Sequence, residues 1–510
     1  MIRAVPVGGH GGRLPWSQRP DSIPTRTIRL GHERAVDRSG RADRNPTTGT
    51  ATVGRSSRAG TPFADEQRDG RRNRMVSTLV FQGSRGDVEP GIALAEELAR
   101  RGRPIRFAVP PNVVDDVRRR LSVAPAVEVS ACGPDTSRTL ASTVATREIK
   151  SRNPVRRLRA ATALATEDGI RTRRDLLAVA DGSDVVIGSN VGQEAALDVA
   201  ERLGVPYVPV HLCPVRPTRA VSFPPLPSRV PGPVRLAGWH ALDRALWHAA
   251  RATEAAHRHD LGLPAASSSV ARRLRRLGTT EIQAYDRALF PTLPDEWGAR
   301  RPLVGFLRPT GDPAGLDPDL AAWLSAGPAP LYVGFGSMTV PDGPAVIRAI
   351  LDELGRRGHR ALVAGGWSRL GADDDRGGDD ARRDVEDRVR WVDQVDHRAV
   401  LPRCTAVVHH GGAGTVAAGL RAGCPTLVCS IGADQPLWGA RVTALGTGAS
   451  MPARAAHGAA LGHALDRVLH PDTRVRAAAV ARELVPPDVA VRAAADALES
   501  ATDRRVPCLD

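Results

Sequence analysis

A glycine-rich turn in the C-terminal half of the chain holds residues that are suited to phosphate chemistry. Residues 409–415 read His-His-Gly-Gly-Ala-Gly-Thr, between a predicted strand at 405–408 and a predicted helix at 415–421. Such a turn directs backbone N–H groups at the positive end of a helix, where phosphate oxygens bind well. We expect His409 to add a donor and Thr415 a hydroxyl. Taken alone, the glycine pattern also fits an ordinary tight turn.

A carboxylate in a second turn is the candidate general base. Asp87 follows a predicted strand at 76–82 and a short loop of Gly83, Ser84, Arg85 and Gly86. The C-terminal edge of a strand is where an open α/β sheet places its chemistry. The alternative role for Asp87 is to cap the helix that Pro90 is expected to open. Glu89 ranks second as a base, because a regular turn points its side chain elsewhere.

No metal site is expected. The acidic run Asp373–Asp375 with Asp379 and Asp380 resembles a metal-binding pattern, but it lies among Gly and Arg in a predicted surface loop. His409 and His410 do not form a ligand pair, since adjacent residues of a strand face opposite sides of a sheet. We therefore predict no metal and no cofactor.

These turns need a scaffold of strands and helices, and the sequence predicts one from residue 75 onwards. Short apolar runs alternate with amphipathic stretches, which is typical of βα units on a parallel sheet. The predicted strands of the first half lie at 76–82, 105–109, 185–187 and 207–210. Those of the second half lie at 331–335, 361–364, 389–392, 406–409 and 426–429. The fold class is α/β, with two doubly wound, Rossmann-like domains.

The domain boundaries follow from shifts in composition. Residues 1–74 form an Arg-rich tail without apolar periodicity, predicted to be disordered, although translation that begins at Met75 is an equally good account. Residues 75–300 form the N-terminal domain, 301–330 a linker and 331–500 the C-terminal domain. Residues 501–510 are a second tail.

Charge and cysteine content exclude several classes of protein. The chain has 510 residues and a net charge of +15, but residues 1–74 carry 15 Arg against 7 acidic residues, or +8, leaving +7 for the other 436. Aromatic residues make up only 4%, too few for base-stacking surfaces, so nucleic acid is not an expected partner. Six cysteines without CxxC spacing indicate a reducing compartment, and we predict a cytoplasmic protein. No apolar run reaches the length of a transmembrane helix, while peripheral membrane contact and oligomeric state stay open.

Four stretches of the chain resemble the GT-B-fold glycosyltransferases that use nucleotide sugars, a family that includes sterol glucosyltransferases and the enzymes that tailor glycopeptide and macrolide antibiotics. They lie in the family's order and span nearly all of 75–500. The stretches are residues 83–90, 332–337, 409–415 with 423–425, and 433–439.

The resemblance implies a function for each stretch. It implies that the C-terminal domain binds a nucleoside-diphosphate sugar and that the N-terminal domain binds a hydrophobic acceptor across a cleft. Asp87 stands where plant relatives carry a catalytic histidine. The donor-binding residues that the resemblance implies are Ser337, Trp391, Gln394, His409, Gly412, Ala413, Gly414, Thr415, Asp434 and Gln435.

Two of these assignments have structural alternatives. Trp391 lies 18 residues before His409, the spacing of the nucleobase-stacking tryptophan in plant relatives, but a tryptophan that fills the core after a strand fits equally. Asp434 is expected to bind sugar hydroxyls together with Gln435, and its alternative is a helix N-cap ahead of Pro436. Cys424 and Cys429 depart from the family's usual residues, which leaves the sugar pocket undefined.

The resemblance implies an inverting, metal-independent transfer of a hexose from a UDP- or TDP-sugar to a hydroxyl. The acceptor region at 213–300 carries no motif, so sterol, polyketide, glycopeptide and lipid acceptors stay open. The alternatives are an epimerase or lipid-linked sugar transferase on the same fold, or a non-catalytic nucleotide-sugar-binding partner subunit. A dinucleotide oxidoreductase fits less well, because the turn at 83–87 lacks a third glycine.

Overall fold

The computed structural model describes residues 75–136, 154–222, 230–311, 315–336, 342–365 and 388–503, with the backbone alone for 154–166. Ser337, the acidic run at 373–380 and the tail at 1–74 lie outside these residues, as do the last seven residues of the chain.

A six-stranded parallel sheet forms the N-terminal domain, in the order β3-β2-β1-β4-β5-β6. Leu79 of β1 pairs with Phe107 of β2 on one side and with Ile187 of β4 on the other. Its central strands are short apolar runs buried on both faces, as expected for a parallel sheet covered by helices. The strands are β1 Ser77–Val80, β2 Ile105–Val109, β3 Val127–Ala131, β4 Val185–Ser189, β5 Tyr207–His211 and β6 Ile282–Gln283.

A second six-stranded parallel sheet forms the C-terminal domain, in the order β12-β11-β10-β7-β8-β9. Counted within its own domain, each sheet has the order 3-2-1-4-5-6. The order therefore reverses between β1 and β4 and again between β7 and β10, and ligands of doubly wound sheets bind at such switch points. The strands are β7 Leu331–Gly334, β8 Ala361–Ala364, β9 Val389–Val392, β10 Ala406–His409, β11 Thr426–Ser430 and β12 Gly448–Pro452.

Helices connect the strands and cover the sheets. Those up to the linker are α1 Arg85–Arg100, α2 Val114–Arg120, α3 Pro154–Ala180, α4 Gln193–Leu203, α5 Gly232–Asp260, α6 Val270–Leu277 and α7 Leu293–Trp297. The later ones are α8 Pro318–Ser325, α9 Gly343–Arg356, α10 His397–Val400, α11 Ala413–Arg421, α12 Gln435–Ala444, α13 Gly458–Leu469, α14 Pro471–Glu483 and α15 Pro487–Asp503.

The predicted strands are all present, and the sequence missed three others. β3 is a partly exposed edge strand, β6 has only two residues, and β12 reads Gly-Ala-Ser-Met-Pro, without a β-branched residue. None of the three carries the buried, β-branched run that marks a central strand. The sequence therefore predicted the sheet interiors and one edge strand, β9, but missed the other three edge strands.

The first helix begins five residues earlier than predicted. Ser84 is the N-cap of α1, and Pro90 lies inside the helix rather than at its start. Pro90 removes only the hydrogen bond to the carbonyl of Gly86, an exposed residue of the first turn, so its cost is small there. Asp87 consequently sits in the first turn of α1.

The last helix corrects the predicted domain boundary. Residues 331–500 were assigned to the C-terminal domain, but α15 packs against α1 and completes the N-terminal core. Its apolar residues Val491, Ala494 and Leu498 are buried there. A continuous apolar stripe indicates that a helix is buried, but it does not indicate which sheet the helix covers. The sequence therefore could not assign α15 to a domain.

The chain crosses between the domains twice, and one arginine joins the two crossings. Arg421, at the end of α11, donates to the carbonyl of Phe306 at 3.3 Å and to that of Val485 at 2.8 Å. Asp286 of the N-terminal domain accepts from the N–H of Val485 at 2.8 Å. The backbone of Val485 is therefore held by both domains.

A buried network of charges lies between α3, α4, α5 and α6. Asp198, which is fully buried, contacts Arg173 at 2.7 Å, Arg258 at 2.6 Å and Arg273 at 2.8 Å. Glu201 and Glu254 complete it, so three arginines face three carboxylates. The network is neutral overall, which is what allows these charges to be buried.

Candidate active site

A deep cleft lies between the two sheets at their switch points. It encloses about 1130 Å³ and is lined by residues from both domains. The N-terminal wall comes from the segments that follow β1, β4 and β5, and the C-terminal wall from those that follow β7, β10 and β11. The sequence-predicted turns at 83–87 and 410–415 thus meet across one space.

Asp87 lies on the N-terminal wall of this cleft. Its Oδ2 atom accepts from the N–H and from the hydroxyl of Ser84, both at 2.8 Å, which completes a capping box. Gly83 makes this contact feasible, because its φ is +115° and an added Cβ would lie 2.5 Å from Oδ2. The predicted capping role is therefore real, although the N-cap is Ser84. Among the described residues nothing donates to Oδ1, which leaves that oxygen for a substrate.

The surroundings of Asp87 favour its protonated form relative to a carboxyl group in water. Burial raises the pKa of Asp87 above its ordinary value, the two hydrogen bonds from Ser84 lower it in part, and the negative charge of Asp434 raises it further. Asp434 belongs to the opposite wall. Two carboxylates therefore face each other across the cleft, and such pairs are typical of sites for acid and base chemistry.

The glycine-rich turn forms the opposite wall. Helix α11 begins at Ala413 with Gly412 as its N-cap, and the residues from Gly412 to Thr415 line the cleft. Gly411 has φ of +98°, and a Cβ there would lie 2.6 Å from Val428. The first N–H groups of an α-helix have no partner within the helix, and here the residues that carry them line the cleft.

The histidine that faces the cleft is His410 rather than His409. His409 is fully buried at the end of β10, and its Nδ1 accepts from the N–H of Gly411 at 2.9 Å. His410 lines the cleft between Gly336 and Gly412, where a Cβ on Gly412 would lie 2.6 Å from its Nε2. The assignment of His409 to bound phosphate does not fit this position, because the strand alternates its side chains and the inward one is His409.

Asp434 and Gln435 both line the cleft where α12 begins. Asp434 is the N-cap residue, but its Oδ2 accepts from the indole N–H of Trp438 at 2.7 Å rather than from a backbone N–H of the helix. Gln435 accepts from the N–H groups of Ile431 and Gly432 at 2.7 and 3.2 Å. Its amide NH₂ group is therefore the part that remains for a ligand.

The predicted nucleobase residues divide into two cases. Gln394 lines the cleft and accepts a hydrogen bond from Arg85 of the N-terminal domain, so it joins the two walls. Trp391 is half-buried against the core of the C-terminal domain and is not among the described residues that line the cleft. Its position matches the alternative prediction of a tryptophan that fills the core.

The apolar wall of the cleft lies in the acceptor region expected at 213–300, but its individual residues were not predicted. One face of α5 lines the N-terminal half with Trp239, Leu242, Leu246 and Trp247. The spacing of three to four residues is a helical stripe, and it could have been found from periodicity. Leu246 is 60% exposed, which is unusual for a leucine that serves only packing. Arg308 in the linker also lines the cleft, and no pattern in the sequence marked it.

The two histidines at the end of β10 are neutral at physiological pH. Burial lowers the pKa of His410 to about 4, and it lowers the pKa of His409 well below its ordinary value. The described residues contain no group of three or more His, Cys, Asp or Glu side chains arranged to hold a metal ion. No described helix is both long and apolar enough to span a bilayer.

Comparison with known proteins agrees with this architecture. A family model described as erythromycin biosynthesis protein CIII-like, C-terminal domain, matches residues 372–491. A glycosyltransferase of Mycobacterium tuberculosis, itself uncharacterized, is 38% identical over 433 residues, covering 84% of this chain and 100% of the relative. The vancomycin aglycone glucosyltransferase of Amycolatopsis orientalis is 31% identical over 416 residues, covering 79% of this chain and 92% of that enzyme.

The fold is also found among solved structures. The glycosyltransferase VinC, in complex with dTDP, superimposes with a TM-score of 0.54 at 16% identity, covering 84% of this chain and 100% of VinC. Together with the two parallel sheets and the cleft between them, these similarities show that the chain is a glycosyltransferase and belongs to the GT-B-fold family that includes the antibiotic-tailoring enzymes.

Proposed function

We propose that the protein transfers a hexose from a nucleoside-diphosphate sugar to a hydroxyl group of a hydrophobic acceptor, with inversion at the anomeric carbon and without a metal ion. One observation carries the proposal: Asp87 and the N-terminus of α11 line opposite walls of one cleft. A base on one side and an anion-binding turn on the other are what a direct displacement needs.

Each wall of the cleft contributes to one step of the reaction: the N-terminal wall activates the acceptor, and the C-terminal wall stabilises the leaving group. An acceptor hydroxyl becomes a competent nucleophile when Asp87 takes its proton in the transition state, an effect worth roughly 10²- to 10⁴-fold in rate. The departing diphosphate gathers negative charge, and the N–H groups at 412–415 stabilise it, with His410 as a neutral donor. Attack from the Asp87 side, opposite the leaving group, inverts the anomeric carbon.

The donor lies along the C-terminal wall. VinC binds dTDP, and the same fold here supports a thymidine or uridine diphosphate sugar as the co-substrate. We assign the sugar hydroxyls to Asp434 and the amide of Gln435, because both line the cleft at the start of α12. We assign the nucleobase to Gln394, which also lines the cleft. A carboxylate beside an amide distinguishes sugars by the orientation of their hydroxyls.

The acceptor lies along the N-terminal wall. The stripe of Trp239, Leu242, Leu246 and Trp247 offers an apolar surface that a polyketide, sterol, glycopeptide or lipid acceptor would cover.

All five described cysteines are unpaired and buried, which supports a cytoplasmic site of action.

The test is a transfer assay with TDP-glucose and UDP-glucose against a panel of hydrophobic alcohols. We expect release of nucleoside diphosphate that depends on the acceptor, and a product with the anomeric configuration opposite to that of the donor, read by NMR coupling constants. A retained configuration would contradict the proposed displacement.

The matched variant is Asp87→Asn, which keeps an oxygen for the capping box with Ser84. We expect turnover to fall by about 10²- to 10⁴-fold while the Kd for TDP stays unchanged. The melting temperature should stay equal or rise, because a buried carboxylate is removed. Full activity in this variant would exclude Asp87 as the base.

A further inference from the structure

Among the described residues, the phosphate-binding turn at 409–415 itself carries no full positive charge. His410 and His409 are neutral near pH 7, since burial lowers the pKa of His410 to about 4 and that of His409 well below its ordinary value. The N-terminus of α11 contributes about half an elementary charge. A diphosphate carries two or more negative charges, so neutral donors and one helix end leave most of that charge uncompensated.

Most arginines that line the cleft are already engaged. Arg120 is paired with Glu89 at 2.7 Å, Arg398 with Asp396 at 2.7 Å, and Arg216 with Glu281. Arg421 donates to two carbonyls at the domain crossing, and Arg85 is exposed and donates to Gln394. Each of these side chains is either paired with a carboxylate or forms hydrogen bonds that join the two domains.

Arg308 differs from all of them. It lies in the linker between β6 and α8 and lines the cleft, and it makes no ion pair or hydrogen bond with any described residue. Its Nε atom is buried and has no hydrogen-bond partner. Burial and the positive charge of Arg398 lower the pKa of Arg308, while the negative charges of Asp396 and Glu89 raise it in part. The nearby carboxylates of Asp396 and Glu89 are taken by other arginines.

An unpaired, partly buried guanidinium is costly unless an anion joins it. The face of α11 that runs from Ala413 to Arg421 lines the cleft, as does the side chain of Arg308. A ligand held at the first turn of α11 therefore lies in the same cleft as Arg308, which has no carboxylate of its own.

We propose that Arg308 is a catalytic residue that binds the phosphate groups of the nucleotide donor and stabilises the charge of the leaving diphosphate. This inference rests on the proposed function, because it requires a nucleoside-diphosphate sugar in the cleft. Arginine suits the task, since its planar donors match phosphate oxygens and it stays charged at every physiological pH. Its place in the linker couples donor binding to the segment that joins the domains.

The experiment compares the binding of TDP, UDP and thymidine to the full chain by calorimetry, in the wild type, Arg308→Gln and Arg308→Lys. We expect the Kd for TDP and UDP to rise about tenfold or more in Arg308→Gln, as the loss of one charge-assisted hydrogen bond predicts. Thymidine, which has no phosphate, should bind equally to all three proteins. Arg308→Lys should recover part of the lost affinity.

Arg403→Gln is the matched control, because Arg403 is an exposed arginine of the C-terminal domain that does not line the cleft. We expect its affinity for TDP to equal that of the wild type. Increasing salt should weaken TDP binding more steeply in the wild type than in Arg308→Gln.

Three outcomes would overturn the assignment. Unchanged TDP affinity in Arg308→Gln, with binding by the wild type intact, would remove Arg308 alone and leave the proposed function standing. An equal loss for thymidine and TDP would mean that Arg308 only packs. A wild type that binds neither TDP nor UDP would overturn the proposed function together with this inference.

Discussion

At the scale of single residues, the cleft is defined by carboxylates whose environments differ. Asp87 is tied to Ser84 through one oxygen, while Asp434 is tied to Trp438. Burial raises the pKa of each of them. Because Asp434 acts on Asp87 through its charge, the residue that is expected to hold the sugar also tunes the base.

Replacement of Asp434 by Asn tests this coupling. The change keeps an acceptor for Trp438 and removes the negative charge, so the pKa of Asp87 should fall toward its ordinary value of 3.8. A general base works only when deprotonated, and activity is lost as the pH falls through its pKa. We therefore expect the acidic limb of the kcat/KM profile to move to lower pH, even where the maximal rate falls. A limb that stays in place or moves up would contradict the coupling.

The sequence predicted the cleft residues unevenly, for reasons that differ from residue to residue. Asp87 and the turn at 412–415 were predicted to face one cleft, because parallel strands deliver their C-terminal ends to one edge. The phosphate was assigned to His409 and not to His410. Which of the two adjacent histidines faces the cleft depends on the residue at which β10 ends, and the sequence does not fix that end to within one residue. Arg308 could not be predicted from the sequence, because what distinguishes it from the other arginines of the cleft is the lack of a carboxylate partner, and only the structure shows this.

At the scale of elements, the sheet interiors follow from apolar periodicity, whereas the placement of helices depends on contacts that are distant in sequence. Helix α15 reads as an ordinary amphipathic helix after the C-terminal sheet, yet its buried face packs on α1, almost 400 residues earlier in the chain. Arg101 reinforces this docking by donating to Asp496 at 2.7 Å. The apolar periodicity within α15 does not indicate that its packing partner is α1.

Leu498→Ala tests the docking of α15. Leu498 is fully buried in the N-terminal core, so its truncation should cost about 2–5 kcal/mol of unfolding free energy. Val489→Ala, on the same helix, is the control, because Val489 is 42% exposed and should change stability by about 0.5 kcal/mol or less. Urea denaturation followed by circular dichroism measures both. Equal effects of the two substitutions would show that α15 is not part of the core.

At the scale of the whole molecule, the amino-acid composition does not predict which charged side chains are buried. Three arginines contact Asp198 in the interior, and the net charge of the chain does not reveal them. Burial alone would raise the pKa of Asp198, and the positive charges of Arg173 and Arg273 reverse this and lower it. The network supports the floor of the acceptor side, since Glu254 also lines the cleft.

Asp198→Asn removes one charge from the network without changing its volume. At pH 7 we expect a loss of about 3–5 kcal/mol, because three buried arginines are left with two carboxylates. A lowered pKa gives stability that is present above the unfolded value of 3.8 and lost as the pH falls below it, so the difference from the wild type should shrink in acid. Asp116→Asn, which breaks an exposed pair with Arg119, should cost about 0–1 kcal/mol. Thermal unfolding across pH separates these cases.

The double crossing at Phe306 and Val485 has a consequence for biosynthesis. Because α15 follows the C-terminal sheet in the chain but belongs to the first domain, the N-terminal sheet emerges from the ribosome with the α15-facing side of α1 uncovered. That apolar surface stays open to solvent, and to chaperones, while about two hundred further residues are translated. The wall that carries Asp87 therefore matures only after the opposite wall of the cleft has been made.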